Sequence, residues 1–210
     1  MTDLPTLITV FTALFIIIDP PGLAPIFLAL TQGMSAAQRR AIGLRACAIA
    51  AALMLAFLFL GEAVLAFVGI SMPAFRIAGG ILLFLTAPEM LFQRRQSRRR
   101  DNASEGAAEH QDDPSVFPLA LPLIVGPGAI TTIILYAGQA QNAADVTALA
   151  AVMFAVLCLV FLSFLISNSI ERLLGHTGLN ILTRVLGMLL AALSVQFILD
   201  GIRQSFGLGG

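Results

Sequence analysis

Leu4 to Leu30 is an apolar run long enough to cross a bilayer, and Asp19-Pro20-Pro21-Gly22, with Pro25 just beyond, sits inside it. Proline lacks the amide hydrogen a helix would use and fixes its own φ, while glycine opens torsions closed to other residues, so a helix entering this stretch breaks. Within hydrocarbon an unbonded backbone group is costly, and a break survives only where it is buried in protein or lines a wet cavity. The interruption therefore predicts an interior site.

A second apolar run carries a second break, at Pro118, Pro122 and Gly126-Pro127-Gly128; placing Pro20-Pro21-Gly22 on Gly126-Pro127-Gly128 takes a shift of 106 residues. Further along, Arg76-Ile77-Ala78-Gly79 aligns without gaps on Arg184-Val185-Leu186-Gly187, a shift of 108, and the similarity runs on from Gly80 to Thr86 against Met188 to Ser194. Two such matches at nearly one offset read as an internal duplication.

Six stretches meet the requirement of about 20 apolar residues for a spanning helix. They are Leu4 to Leu30, Leu44 to Val68, Ala74 to Phe92, Val116 to Ala137, Val146 to Ile170 and Asn180 to Ile202. Charged residues make up only 11% of the chain and hydrophobic ones 58%, whereas about a quarter of a soluble domain is charged. With three crossings per copy, the second copy is inverted relative to the first. The expected fold is an all-α polytopic membrane protein: six transmembrane helices as a 3+3 inverted repeat with broken first and fourth helices. Its parts are a first repeat over residues 1–93, a charged cytoplasmic linker over 94–113 and a second repeat over 114–210. Local helix-entry signals are Asp3 before Pro5, Ser35 with Gln38 as a capping box, Ser71 before Pro73, and Asp113 before Pro114.

The net charge is zero, which gives no case for nucleic acid. Placement of charge says more. Arg39, Arg40 and Arg45, the cluster Arg94 to Arg100, Arg172 and Arg184 fall at one end of the six spans, and Arg76 and Arg203 at the other. By the positive-inside rule the first end is cytoplasmic and both termini are periplasmic. The arginine cluster is read as a topological anchor, because acids follow it within a short loop. Met1-Thr2-Asp3 lacks the positive start of a secretory signal, so the first run is expected to remain as a span. Cys47 and Cys158 sit singly in apolar runs and His110 and His176 in polar loops, so no metal site and no cofactor is indicated.

At each break one half-helix ends in free carbonyls and the next begins with a positive dipole end, so cation and anion sites lie side by side. Asp19, Pro20, Pro21 and Gly22 with Gly126, Pro127 and Gly128 form the candidate site for one small zwitterion. Asp19 is the one carboxylate at a break. It is a candidate for binding ammonium or carrying a coupling proton, or else a cap on the following half-helix. Thr131 and Thr132, a turn past the second break, either donate to the substrate or bond their own backbone. Phe27 walls the cavity or simply packs. Glu62 with Arg76, and Glu171 with Arg184, are candidate gates at opposite ends, or interfacial anchors.

The Asp19-Pro20-Pro21-Gly22-Leu23-Ala24-Pro25-Ile26-Phe27 element, the Pro118-to-Ile130 element and six segments split by a charged loop resemble the MarC family of integral membrane proteins. That family is also described as small neutral amino acid transporters and is related to lysine-exporter-like transporters. The resemblance covers nearly the whole chain. It implies a multi-pass protein of the bacterial inner membrane that carries glycine, alanine and similar small neutral amino acids by proton symport, one half rocking against the other in alternating access. The alternatives are an exporter of another small metabolite, and a passive channel or membrane scaffold without amino acid flux. An enzyme is not expected, since no HExxH, buried His, paired aspartates or cofactor fingerprint is present.

Overall fold

A computed structural model describes residues 3–92, 94, 98–99 and 113–207. Among the described residues all regular structure is helical: α1 (Leu4–Ile18), α2 (Pro20–Leu30), α3 (Ala36–Val68), α4 (Met72–Leu91), α5 (Ser115–Ile124), α6 (Pro127–Ala137), α7 (Ala143–Leu165) and α8 (Ser167–Ser205). Five helical stretches are long and apolar enough to cross a membrane, and α5 with α6, bent by 60° at their junction, make a sixth. The six correspond to the six apolar runs. The expected linker lies outside the described residues except for Arg94, Arg98, Arg99 and Asp113, and so does His110.

The first break follows from its residues one bond at a time. The Asp19 amide still bonds the Phe15 carbonyl at 2.9 Å, but Pro20 and Pro21 have no amide hydrogen to offer four residues back. Asp19 turns the chain by entering the left-handed region, φ 59° and ψ 64°, which Asp and Asn tolerate better than most residues. Its carboxylate then accepts from the Gly22 amide at 3.1 Å, and its carbonyl from the Leu23 amide at 3.1 Å. α2 is thereby capped by the residue that ended α1.

α5 is irregular for the same reason. Pro118 and Pro122 remove donors, and the chain keeps wide turns, with Leu119 bonding the Pro114 carbonyl at 3.2 Å and Val125 the Ala120 carbonyl at 2.9 Å. Phe117 (φ −116°, ψ 129°) and Leu121 (φ −123°, ψ 131°) are extended, as residues preceding proline prefer. Glycine shapes one more element: Gly175, at φ 57° and ψ −175°, breaks α8 and leaves Thr177–Ser205 as its spanning part.

The caps at Asp3, Ser35 and Ser71 form as expected, the Ser35–Gln38 box with both of its bonds. Asp113 does not cap α5. The position directly before α5 is Pro114, which has no polar side chain to cap with, and Asp113 one residue earlier accepts from the Ser115 amide and pairs with Arg45.

α4 packs antiparallel along most of its length on the Gly187–Gly201 part of α8, through small residues. A Cβ at Gly80 would lie 2.8 Å from the Ser194 carbonyl, at Gly187 2.8 Å from Met90 Cβ, and at Gly201 3.0 Å from the Pro73 carbonyl. Such close backbone approach is how helices associate where lipid offers no hydrophobic drive. α3 packs on α5, α6 and α7, while α7 also packs on α1 and α2, which leaves the broken helices inside. Facing outward are Phe59, Phe67, Phe84, Leu85 and Leu173 among other large apolar residues, an outer surface suited to lipid.

Candidate functional site

The two breaks meet. Gly128, the second residue of α6, lies against Ile17 near the end of α1 and against Leu83 of α4; an added Cβ would be 3.1 Å from Ile17 Cγ2 and 2.9 Å from Leu83 Cδ2. Beside this contact opens a cavity of about 630 Å³, lined by Ile17, Leu82–Glu89 positions of α4, Pro122–Ala129 positions of the second break, and Arg98 and Arg99. Its walls are mostly apolar, and its polar groups converge from Thr86, Glu89, Arg98 and Arg99. This is the usual composition of a small-molecule pocket.

Arg99 joins the cavity to the first break. Its guanidinium donates to the Ile18 carbonyl at 3.1 Å and reaches Asp19 Oδ2 at 3.4 Å, with the Asp19 side chain 1% and the Arg99 side chain 9% exposed. Ile18 is the residue whose helical donor, the Gly22 amide, has been diverted to the Asp19 carboxylate. The arginine thus takes the end of α1 that the break opened, and it also neutralises the buried carboxylate. On the cavity wall Arg98 pairs with Glu89.

Of the residues expected to bind, Gly126, Pro127 and Gly128 line this cavity. Pro20 and Gly22 are buried in the first turn of α2, and Asp19 touches the cavity through Arg99. The start of α2 does not offer a row of free amides: Pro20 and Pro21 have none, and Asp19 takes that of Gly22. The start of α6 differs, having no side-chain cap. There Ala129 and Ile130 bond the Gly126 carbonyl, which leaves the Gly128 amide as the donor at the cavity. Thr132 Oγ1 donates to the Gly128 carbonyl at 2.8 Å, and Thr131 is buried with its methyl against Gly79; neither lines the cavity. Phe27 packs, stacking on Phe164 at 4.2 Å between ring centres with Arg39 over it.

The expected gates do not form as pairs. Glu62 is exposed on α3, Arg76 is buried, and Arg184 is exposed on α8. Neither Glu62 with Arg76 nor Glu171 with Arg184 is within ion-pair distance, and the described pairs are Asp19–Arg99, Glu89–Arg98 and Arg45–Asp113. Glu62 and Arg76 flank the α3–α4 connection, and Glu171 and Arg184 flank the Gly175 break of α8, without meeting. Arg39, which donates to Ser167 at 3.1 Å, and Arg45, paired with Asp113, tie the connections after the first, third and fifth spans together at one end.

These features define a polytopic helical membrane protein whose first and fourth spans break around an amphoteric cavity. The chain belongs to the MarC family of integral membrane proteins, whose model matches residues 4–206. It is 43% identical over 199 residues to a UPF0056 membrane protein of Archaeoglobus fulgidus, covering 92% of this chain and 91% of that one. It is 34% identical over 206 residues to the UPF0056 membrane protein YhcE of Escherichia coli, covering 97% and 95%. To YvbG of Bacillus subtilis it is 35% identical over 203 residues, covering 95% of each. No solved structure matches the chain.

Proposed function

We propose that this protein is a secondary transporter of small neutral amino acids such as glycine and alanine, coupled to protons and working by alternating access. The observation that carries the reading is the cavity between the two breaks, which the uncapped start of α6 lines together with Arg98, Arg99 and Glu89. A zwitterion's carboxylate suits the helix start and the guanidinium groups, and its ammonium suits Glu89 or the Asp19 carboxylate beside Arg99. Discontinuous helices meeting at an interior site are a recurring transporter plan. Asp19 and Glu89 are the two carboxylates available to a coupling proton.

The packing supports a 3+3 inverted repeat of residues 1–93 and 114–210. Exchanging the first three spans for the last three maps the packing of α3 on α5 and α6 onto that of α7 on α1 and α2. It likewise maps α4 on α6 onto α8 on α2. The α3–α7 and α4–α8 contacts map onto themselves. In the proposed orientation the arginine-rich end is cytoplasmic and both termini are periplasmic.

The test is uptake of radiolabelled glycine and alanine into proteoliposomes, with and without an inward proton gradient, for the wild type, Asp19→Asn and Glu89→Gln. Saturable, gradient-driven uptake that one of the two substitutions uncouples is the expected result. Uptake that neither saturates nor responds to the gradient would refute a coupled carrier.

A further inference from the structure

A second polar cavity of about 300 Å³ lies at the other end of the same helices. On α4, Arg76 stands 10 to 13 residues before Thr86 and Glu89 of the first cavity, a rise of roughly 15–20 Å. On α6, Tyr136 stands eight residues after Gly128, roughly 12 Å. Pro5, Thr6 and Thr9 of α1 and Gln196, Phe197 and Asp200 of α8 close the space. At about 300 Å³ it falls at the small end of ligand pockets.

Its charged group is not used by the fold. Arg76 is 6% exposed and Tyr136 5%. Among the described residues neither side chain makes a hydrogen bond or ion pair, although both line the cavity. The Arg76 guanidinium opens on the cavity, where its donors are met by water or by an acceptor from outside the chain. Asp200, in the same cavity, is not bridged to Arg76. It accepts from Gln196 Nε2 at 2.8 Å through one oxygen and lines the cavity. One cation and one anion, held apart in a small cavity, suit a ligand that carries the complementary pair.

We infer that Arg76, Tyr136 and Asp200 form a second binding site for a small zwitterion, with the ligand's carboxylate on the Arg76 guanidinium and Tyr136 hydroxyl and its ammonium on Asp200. A bare carboxylate meets repulsion from Asp200, and a bare amine meets repulsion from Arg76. Binding here requires no transport, so the site stands or falls separately from the central cavity.

The experiment uses the full chain in lipid nanodiscs, with Cys47→Ala, Cys158→Ala and Gln139→Cys. Gln139 is exposed at the rim, and its cysteine is labelled with a membrane-impermeant thiosulfonate in the presence of alanine, propionate or ethylamine. Alanine is expected to slow labelling at least fivefold, and the other two far less at equal concentration. Arg76→Gln should weaken the protection by about tenfold or more, with Arg76→Lys retaining part of it. Asp200→Asn, at a half-exposed position, should erase the preference for alanine over propionate. Protection that survives Gly128→Leu, which fills the space between Ile17 and Leu83, places the ligand at Arg76. The inference is overturned if alanine gives no protection, if protection survives Arg76→Gln, if Asp200→Asn leaves the preference intact, or if Gly128→Leu abolishes protection. Should Arg76→Gln not be monodisperse, the Asp200→Asn comparison decides alone.

Discussion

The Asp19–Arg99 pair gives a sharp prediction because one substitution isolates its charge. Asn at position 19 tolerates the left-handed backbone and keeps an oxygen for the Gly22 amide, so Asp19→Asn removes the negative charge and little else. At 3.4 Å, two unit charges attract by about 5 kcal/mol when the effective dielectric constant is near 20. Desolvation opposes most of that gain, and the measurable quantity is what happens when one partner is left alone in the interior. Removing one member of a buried pair costs about 3–5 kcal/mol. Arg99→Met should therefore destabilise the protein by about that amount, having also released the Ile18 carbonyl. Asp19→Asn should cost less, because the arginine retains that carbonyl and an amide oxygen. The double variant should be more stable than the sum of the singles by about 2 kcal/mol or more. The chain has no tryptophan, so the cycle is best read from far-ultraviolet circular dichroism during unfolding in mixed micelles. Effects that add within about 0.5 kcal/mol would show that the two residues act independently, and the ion pair would lose its place at the site.

Three further outcomes follow from individual contacts. A Cβ at Gly22 would lie 2.1 Å from Asp19 Oδ2, so Gly22→Ala must displace the carboxylate and break the cap, costing about 1–3 kcal/mol in the same unfolding assay. At Gly201 the added Cβ would meet the Pro73 carbonyl at 3.0 Å and the Ile77 amide nitrogen at 3.2 Å; Gly201→Leu should cost about 1–3 kcal/mol by prising α8 from α4. The carboxyl of Asp3, just outside the first span, is held below its ordinary value of 3.8 by the Thr6 hydroxyl and amide. Its contribution is present above pH 3.8 and is lost as pH falls through the lowered value. Thr6→Val should raise that pKa toward 3.8, as read from the carboxyl carbon shift in an NMR titration.

The breaks were legible because they are local chemistry: a missing amide hydrogen at Pro20, Pro21, Pro118 and Pro122 acts wherever the chain lies. The six spans were legible for a similar reason, since bilayer thickness fixes their length. Arg99 was not, because its role depends on returning to a helix end 81 residues earlier, and a run of arginines carries no sign of which one turns inward. Reading the cluster as an anchor missed Arg99, which takes the Ile18 carbonyl at the first break. The candidate gates failed to pair because spacing along the chain gives depth and says nothing about direction around a helix. Arg76 entered as a candidate gate partner of Glu62, and the chain's one tyrosine, Tyr136, was available as a signal. Only the fold places them in one cavity. The adjacent Gly79 and Gly80 also carried unread information: one admits Thr131 of α6 and the other α8, two close approaches on different faces of one helix.

If the protein works by the alternating access proposed above, its packing constrains the motion. If the two sequence halves rocked as rigid bodies, α4 would have to slide on α8, yet these helices make the closest and longest backbone contact between the halves. A seam in which added Cβ atoms would meet carbonyls and amides at about 3 Å has little freedom to slide. At the boundary of α3 with α6 the close approach of Gly61 is to the Ile134 side chain rather than to backbone, and this boundary, with that of α7 against α1 and α2, is the weaker one. On that proposal the moving units are better drawn across the two sequence halves, with α4 and α8 together as one body. Two cysteine locks separate the schemes, both joining the halves. A Cβ at Gly187 lies 2.8 Å from Met90 Cβ, and one at Gly61 lies 3.3 Å from Ile134 Cβ, each near the range a disulfide needs after small adjustment. Oxidising the 90–187 pair should leave at least half of the alanine uptake, whereas the 61–134 lock should abolish it reversibly. Loss of uptake in both would restore the sequence halves as the moving bodies, and the glycine seam would then have to open in every cycle.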